Sequence, residues 1–246
     1  MTKHWFFVVL ILLFFKLPAE LNAQVKTIEA DSLPALANAI SFYKDMIYHD
    51  SYIYEGQEYT RSSDLTAGHP YFEFPRWTKG NLNYKGRYYP QVDMLYDIVT
   101  DEVVVMHPQG ALMISLPGSE ISRFSLADHR FIRISAERAK GSILNEGFYE
   151  QPYKGESQVL IKRKKNFQPL ARMSVTGEFV QKDAYFIEKE GLFYRVTNKS
   201  SVLRLLRDQK KEVRRSLKEH NIKFRKNPEL AIVKMVEYYD GANSSK

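Results

Sequence analysis

The chain of 246 residues contains no cysteine, and this absence excludes several classes of protein. Without thiolates it can hold neither a disulfide framework nor a cysteine-ligated zinc or iron–sulfur centre. Glycine and proline are present in ordinary numbers, 12 and 10, which excludes a collagen-like sequence. An aromatic content of 13% and an apolar content of 44% exclude an intrinsically disordered chain. What remains is a globular protein, long enough for one large domain or two small ones.

Familiar catalytic and metal-binding motifs are also missing. The histidines beyond the first residues are too far apart for a metal-binding H-x-x-x-H pair: His49, His69, His107, His129 and His220. There is no G-x-S-x-G nucleophile elbow, no P-loop and no dinucleotide-binding G-x-G-x-x-G. We therefore assign no catalytic residue, no cofactor and no metal ligand from the sequence, and a non-enzymatic function is favoured.

A short apolar run marks the start of the chain. Trp5–Phe15 contains 11 apolar residues, follows the basic Lys3, and precedes Pro18 and the small residue Ala23. As a helix the run would rise about 16 Å, too short for the roughly 30 Å of hydrocarbon in a bilayer. This layout is typical of a secretory signal peptide, so we predict a leader at residues 1–23. An exported chain without cysteine suits a bacterial envelope, in the periplasm, at the outer membrane or outside the cell.

Periodicity divides the mature chain, residues 24–246, into three parts of a predicted single β-rich domain. Apolar residues recur every three or four positions across 31–50, which predicts a helix. Closely spaced strand patterns predict an antiparallel sheet over 51–197, and helical periodicity returns over 199–241. The predicted fold is α+β and mainly antiparallel β: a meander, curved sheet or half-barrel with an N-terminal helix and a basic C-terminal helical segment.

Hairpin signals are the basis of the antiparallel prediction. Each has aromatic or β-branched residues on both sides of a short turn with glycine, which reaches positive φ without steric cost. Four segments have this form: Tyr52–Tyr59, Asn83–Tyr89, Phe148–Leu160 and Tyr185–Tyr194. Alternation also predicts a strand over 88–98, and the run Glu102–Met106, apolar on both faces, predicts a central strand.

Acidic residues cluster near the end of the strand predicted over 88–98, at Asp93, Asp97, Asp101 and Glu102. Carboxylate oxygens are the ligands that calcium takes in proteins. The group lacks the glycine-containing loop spacing of a calcium motif, and Asp93 and Asp97 share one face of the predicted strand. We therefore interpret these carboxylates as a solvated face rather than a metal site.

Positive charge is concentrated in the helical tail. Lys199–Lys226 contains 11 basic and 3 acidic residues, a local net charge of +8 in a chain whose total is +7. Its predicted patch for an anionic partner consists of Arg204, Arg207, Lys211, Arg214, Arg215 and Lys218. The run 162–165, Lys-Arg-Lys-Lys, is a second cluster. The alternative interpretation of the patch is a solvated helix face without a partner.

Partner chemistry follows from export. An exported protein rarely meets nucleic acid, so none is expected as a partner. Lipid head groups, acidic glycans or another envelope protein are the anionic partners that suit the compartment. No transmembrane span is predicted in the mature chain.

Several motifs carry a resemblance to known proteins. Y-x-G-x-x-Y occurs at Tyr54–Tyr59 and again at Tyr84–Tyr89, and Gly-His-Pro-Tyr-Phe spans 68–72. With Gly147-Phe148-Tyr149 and the basic tail, these motifs resemble exported proteins of unknown function from Gram-negative bacteria. The resemblance implies export and a β-rich architecture. It implies no activity and no site residues.

Three functional hypotheses follow. The favoured one is an exported envelope protein that binds or scaffolds without catalysis. A second is a hydrolase of envelope glycans or lipids, with a site assembled from distant loops. It requires two carboxylates, or a histidine with a nucleophile, to converge in a cleft, and clustering of His69, His107 or His129 with Asp93 or Asp97 would favour it. A third is a carrier that holds a lipid or acyl chain in a curved sheet, which requires a concave apolar cavity.

Overall fold

The computed structural model describes residues 34, 36–39, 52–60, 66–107, 110, 112–172 and 175–243. The chain divides into two compact units, residues 1–50 and 51–246. In the first unit, Pro34 and residues 36–39 are helical and exposed, within the helix predicted over 31–50. The remainder of that predicted helix and the predicted leader lie outside the described residues.

The second unit is built mainly from short strands. The strands are β1 (Gln57–Glu58), β2 (Thr66–Ala67), β3 (Thr78–Tyr84), β4 (Arg87–Asp97), β5 (Glu102–Met106), β6 (Met113–Leu116), β7 (Ile121–Leu126), β8 (His129–Ile134), β9 (Gly147–Lys154), β10 (Gln158–Lys162), β11 (Lys165–Arg172), β12 (Val175–Gln181), β13 (Ala184–Lys189) and β14 (Leu192–Val196). The helices are α1 (Ala136–Ala139), α2 (Lys199–Leu205), α3 (Lys210–Glu219) and α4 (Pro228–Asn243). Short 3₁₀ turns occur at Tyr52–Tyr54, Gly118–Glu120 and Arg207–Gln209.

Eleven strands form one open sheet in the order β1-β6-β5-β4-β3-β7-β8-β9-β10-β13-β14. Its eight middle strands form two antiparallel meanders, β3 to β6 and β7 to β10, joined where β3 pairs with β7, and β1 and the hairpin β13–β14 extend the two ends. Because β13 pairs with β10, the β11–β12 hairpin leaves this sheet. It forms a separate three-stranded sheet in which β2 pairs with β12 in parallel. The mainly antiparallel fold predicted from the sequence is confirmed.

Three of the predicted hairpins form, between β3 and β4, β9 and β10, and β13 and β14. Lys85 and Gly86 both have positive φ, +47° and +73°, as do Glu190 and Gly191, at +55° and +76°. Two consecutive residues of positive φ are what a tight two-residue hairpin turn needs to match the twist of its strands.

The hairpin predicted at Tyr52–Tyr59 is wrong. The segment begins as a 3₁₀ turn, and β1 pairs with the distant strand β6. A Cβ atom on Gly56 would lie 2.4 Å from Ile114 Cγ2 and 2.4 Å from the Ser115 carbonyl oxygen. Glycine at this position therefore allows the close approach of β1 to β6 rather than a turn.

The strand predictions over 88–98 and 102–106 are confirmed. Val92, Met94 and Tyr96 of β4 join the main hydrophobic cluster, and β5 lies between β4 and β6 with its three valines fully buried. An aromatic group fills this cluster: the rings of Phe124 and Phe131 stack at 4.7 Å between centroids, and Tyr96 meets both edge-on. Such ring pairs stabilise a core beyond the area that they bury.

The C-terminal helices cover one face of the strands β10, β13 and β14. Val159, Ile161, Ile187 and Val196 of these strands pack with apolar residues from α2, α3 and α4. Their side chains share a face because alternate residues of a strand point the same way. Among the helices of the described residues, none is both long enough and apolar enough to cross a lipid bilayer.

Side-chain caps begin two of these helices. The Asn227 side chain accepts a hydrogen bond from the Leu230 backbone at 3.0 Å at the start of α4. Helix α2 is capped by Asn198, which forms a capping box with Ser201. Leu230 is exposed, because the buried stripe of α4 runs through Ala231, Ile232, Met235, Val236 and Tyr239.

Candidate functional site

The basic residues predicted as an anion-binding patch lie on the surface of the helical layer. The buried residues of α3 are Val213, Ser216 and Leu217. At about 100° per residue, four cations fall within an arc of about 100° on the opposite side of the helix. These are Lys211, Arg214, Arg215 and Lys218. The structure therefore brings the α3 part of the predicted patch onto one exposed face.

Few acids accompany this face. All six residues of the patch are exposed, including Arg204 of α2 and Arg207 in the following 3₁₀ turn. Within the described part of the chain, Arg215 is the one patch residue that forms an ion pair, with Glu219 at 2.7 Å. We call the exposed residues Lys211, Arg214, Arg215 and Lys218 the α3 basic face. Exposed cations without acidic partners create a positive potential that attracts anions.

Polar contacts anchor the helices that carry this face to the sheet. Asp240 of α4 accepts hydrogen bonds from the Ser157 backbone at 2.8 Å and from the Tyr153 hydroxyl at 3.1 Å. Asp208, between α2 and α3, accepts one from the Tyr239 hydroxyl at 2.8 Å. A hydrogen bond made across chain elements fixes their relative position as well as their distance. The helical layer that carries the basic face is thus held to the sheet through Asp240 and held together through Asp208.

A buried cation, Arg163, lies where the first turn of α4 meets the sheet. Its guanidinium donates to Glu150 at 2.6 Å, to Asp183 at 2.7 Å and to Glu229 at 2.8 Å. These carboxylates come from β9, from the β12–β13 connection and from α4. The planar guanidinium with its five donors is suited to bind several carboxylates at once. We call Arg163, Glu150, Asp183 and Glu229, with His129 and Glu73, the Arg163 cluster.

His129 extends the cluster toward the surface. Its Nδ1 lies 2.6 Å from Glu150, and its Nε2 lies 3.1 Å from Glu73, so both ring nitrogens face carboxylate oxygens. A neutral imidazole has a single N–H, so both contacts are hydrogen bonds only when the ring is protonated. The hydrogen bond to Glu150, together with the charges of Glu150 and Glu73, raises the pKa of His129 against the opposing effects of burial and Arg163.

Glu150 is an acidic side chain that is only 3% exposed. Burial alone would raise its pKa, but the hydrogen bond from His129 and the charge of Arg163 outweigh burial and lower the pKa of Glu150. The sequence showed the basic run at 162–165, but it did not show that Arg163 is buried among carboxylates. Arg163 and Lys165 are buried and paired inside, so the run is not a surface patch.

Lys165 holds the segment before β3. Its ammonium donates to the carbonyl of Tyr71 at 2.6 Å and to that of His69 at 3.0 Å. Burial lowers the pKa of Lys165. The pKa of His69 is lowered as well, mainly by burial and in addition by the positive charge of Lys165. His69 is thus a loop residue beside a lysine that bonds backbone carbonyls.

The histidines and aspartates whose clustering would favour a hydrolase do not meet. His129 contacts Glu150 and Glu73, and the ring of His107 lies against Tyr54 at 5.4 Å between centroids. His69 contacts Lys165 and stacks on Tyr71. In the contacts of the described residues, none of these three rings meets Asp93 or Asp97. The predicted histidine–aspartate clustering is therefore not formed.

The predicted acidic cluster is divided by the structure. Asp93 is exposed, but Asp97 is buried, so its assignment to a solvated face is wrong. The Tyr59 hydroxyl and the backbones of Val99 and Thr100 donate to Asp97, at 2.6, 2.8 and 3.2 Å. Paired hydrogen bonds of this kind allow a carboxylate to be buried beside a sheet. Burial and the bond to Asp97 raise the pKa of Tyr59.

A cavity of about 350 Å³ opens beside Asp97, with Glu58, Glu102, Tyr59 and Phe179 among its lining residues. Its polar groups are largely used within the wall: Glu102 accepts from Thr100 at 2.7 Å and from Ser115 at 3.0 Å. Across the described residues, no group of three or more histidines, aspartates and glutamates is arranged to hold a metal ion. The lining mixes these carboxylates and hydroxyls with the apolar side chains of Pro70, Val99 and Phe179.

Replacement of Arg163 tests the cluster as the anchor of α4. We expect Arg163→Met to lower the free energy of unfolding by about 3–5 kcal/mol, because it leaves buried carboxylates without a counter-charge. The loss should shrink as the pH falls and the carboxylates are protonated. Chemical denaturation at several pH values measures both effects. As a control, Arg215→Met removes an exposed pair and should cost no more than about 0.5 kcal/mol. A loss below 1 kcal/mol for Arg163→Met would contradict this account.

The pH dependence of His129 tests the same cluster from its outer end. A raised pKa means that the contribution of His129 to stability is complete below its ordinary pKa, 6.5, and is lost as the pH rises through the folded value. An NMR titration of the imidazole should give a pKa above 6.5, and Glu73→Gln should move it down. The exposed Glu137→Gln should leave it unchanged. An ordinary pKa for His129, or no response to Glu73→Gln, would show that the two-carboxylate contact does not persist in solution.

Comparison with known proteins yields no relative. No protein-family model matches the chain, and no curated protein or solved structure matches it.

Proposed function

We propose that this chain is an exported protein of the bacterial cell envelope that binds or scaffolds without catalysis, using its C-terminal helices to attach to an anionic partner. The single observation that carries the proposal is the α3 basic face, which is exposed opposite the buried side of its helix. Export rests on the leader pattern of residues 1–23.

Charge distribution supports an anionic partner over a neutral one. Outside residues 199–226 the charges nearly balance, with 25 basic and 26 acidic residues. Some of these cations are paired with acids, as for Lys162 with Asp101 at 2.7 Å and Arg138 with Glu188 at 2.9 Å. The segment 199–226 instead carries a net charge of +8. Like charges that lack acidic partners repel each other, and this repulsion destabilises the folded chain. A partner of opposite charge relieves the repulsion when it binds.

Export can be tested at the leader. In a Gram-negative host, intact-mass measurement should find a mature chain that begins at Gln24 in the envelope fraction. Leu10→Arg with Leu12→Arg should leave the full-length chain inside the cell, because charge in the apolar run prevents recognition as a leader. Leu36→Arg with Asn38→Arg, two exposed positions beyond the leader, should not affect processing. A wild-type chain that keeps Met1 and stays in the cytoplasm would refute export.

Binding to a polyanion tests the basic face. Affinity for dextran sulfate should fall with rising salt, since cation–anion contacts release counterions. The triple variant Lys211→Gln, Arg214→Gln and Lys218→Gln should bind more weakly and reduce the slope of log affinity against log salt by about 3.

A charge-matched control separates the face from total charge. The variant Lys79→Gln, Lys140→Gln and Lys182→Gln removes three exposed lysines outside the helical layer. It has the same net charge as the α3 triple variant, and we expect it to keep the wild-type slope. Equal losses in both variants would mean that net charge, and not this face, governs binding.

A further inference from the structure

Two large apolar side chains are exposed at the rim of the helical layer. Leu192 and Tyr194 of β14 are 60% and 37% exposed. They share a strand face with Val196, which packs into the core beneath the helices. In the described residues β14 is the last strand at this end of the sheet. The two side chains thus lie on the same apolar face as Val196, but at a part of β14 that the helices do not cover.

Residues that follow β14 in the chain lie close to Leu192 in the fold. Lys189 is the cross-strand partner of Leu192, and its ammonium lies 3.7 Å from Asp208 and 4.7 Å from the ring centre of Tyr239. The 3₁₀ turn that follows α2 therefore lies beside the start of β14. Arg207 precedes Asp208 in that turn, and Arg204 lies one helical turn earlier; both are exposed. The two exposed arginines therefore belong to the segment beside the start of β14, together with the carboxylates of Glu190 and Asp208, which both lie within 4 Å of the Lys189 ammonium.

This combination has the chemistry of a lipid interface. An arginine binds a phosphate with paired hydrogen bonds, and a tyrosine places its ring in the acyl boundary with its hydroxyl among the head groups. A soluble polyanion would use the cations but gain nothing from an exposed leucine, since that side chain stabilises binding only by leaving water. The surface of an anionic bilayer uses both kinds of residue, since it offers phosphates to the cations and an acyl boundary to the apolar side chains.

We infer that Leu192 and Tyr194, flanked by Arg204 and Arg207, dock this protein on the surface of an anionic lipid bilayer. The inference rests on the proposed function and names the partner of the same helical layer. The cations supply attraction to the charged surface, and the two apolar side chains enter the interface by a shallow insertion that does not span the bilayer.

The absence of cysteine allows a site-specific test. Leu192→Cys places a unique thiol that carries an environment-sensitive fluorophore. Vesicles of phosphatidylglycerol and phosphatidylcholine should shift its emission to the blue, because the label leaves water. The matched control is Leu112→Cys, an exposed leucine on another part of the chain. It should give no shift, and dextran sulfate should shift neither label. Both variants are made in the full chain and in the form that begins at Gln24, so that vesicle binding by residues 1–23 can be distinguished from binding by β14.

Removal of the two side chains gives an independent readout. Leu192→Ser with Tyr194→Ser should weaken vesicle binding by about tenfold while leaving dextran sulfate binding at the wild-type level. Thermal unfolding measured by circular dichroism confirms that the variant is folded.

The outcomes separate this inference from the proposed function. A silent Leu192→Cys label on vesicles, with dextran sulfate binding that still depends on the α3 basic face, overturns membrane docking and leaves the anionic partner in place. A label that shifts with protein concentration alone shows a second copy at β14, and also overturns it. No binding to either probe at low salt refutes the proposed function itself.

Discussion

The guanidinium of Arg163 is the contact on which the arrangement of this protein depends, because it joins parts of the chain that share no other charge. It bonds Glu150 in the sheet, Asp183 in the connection to the last hairpin, and Glu229 at the start of α4. A buried cation among carboxylates is weak evidence for high stability, since desolvation offsets the attraction. It does place the first turn of α4, because Glu229 is paired with Arg163 only where that turn meets the sheet.

The position of α4 determines which side of α3 is buried and which is exposed. Helix α4 packs on α3, and the buried side of α3 faces this contact through Val213 and Leu217. The charged residues of α3 are then directed to solvent as a consequence of packing, since they occupy the remaining arc of the helix.

The sequence predicted local features well and remote ones poorly. The hairpin at Lys85-Gly86 and the buried valines of β5 follow from turn chemistry and periodicity, which act over a few residues. The segment around Gly56 failed because its glycine serves contact with β6, more than fifty residues away in the chain. The basic patch was found because one helix carries most of it. The Arg163 cluster was missed because its acids are scattered along the chain, and only the strand register brings them together.

The contrast between Arg163 and Arg214 shows why position matters more than residue type. Both are arginines in basic runs of similar composition. Strand alternation turns Arg163 inward at the end of β10, where three carboxylates consume its charge. Helical periodicity places Arg214 on the exposed side of α3, whereas Val213 and Leu217 are on its buried side. A basic run in a sheet is therefore divided between core and surface, whereas a basic run in an amphipathic helix gathers its charge on one exposed side. The excess charge of the chain consequently accumulates at the helical end, where a partner can reach it.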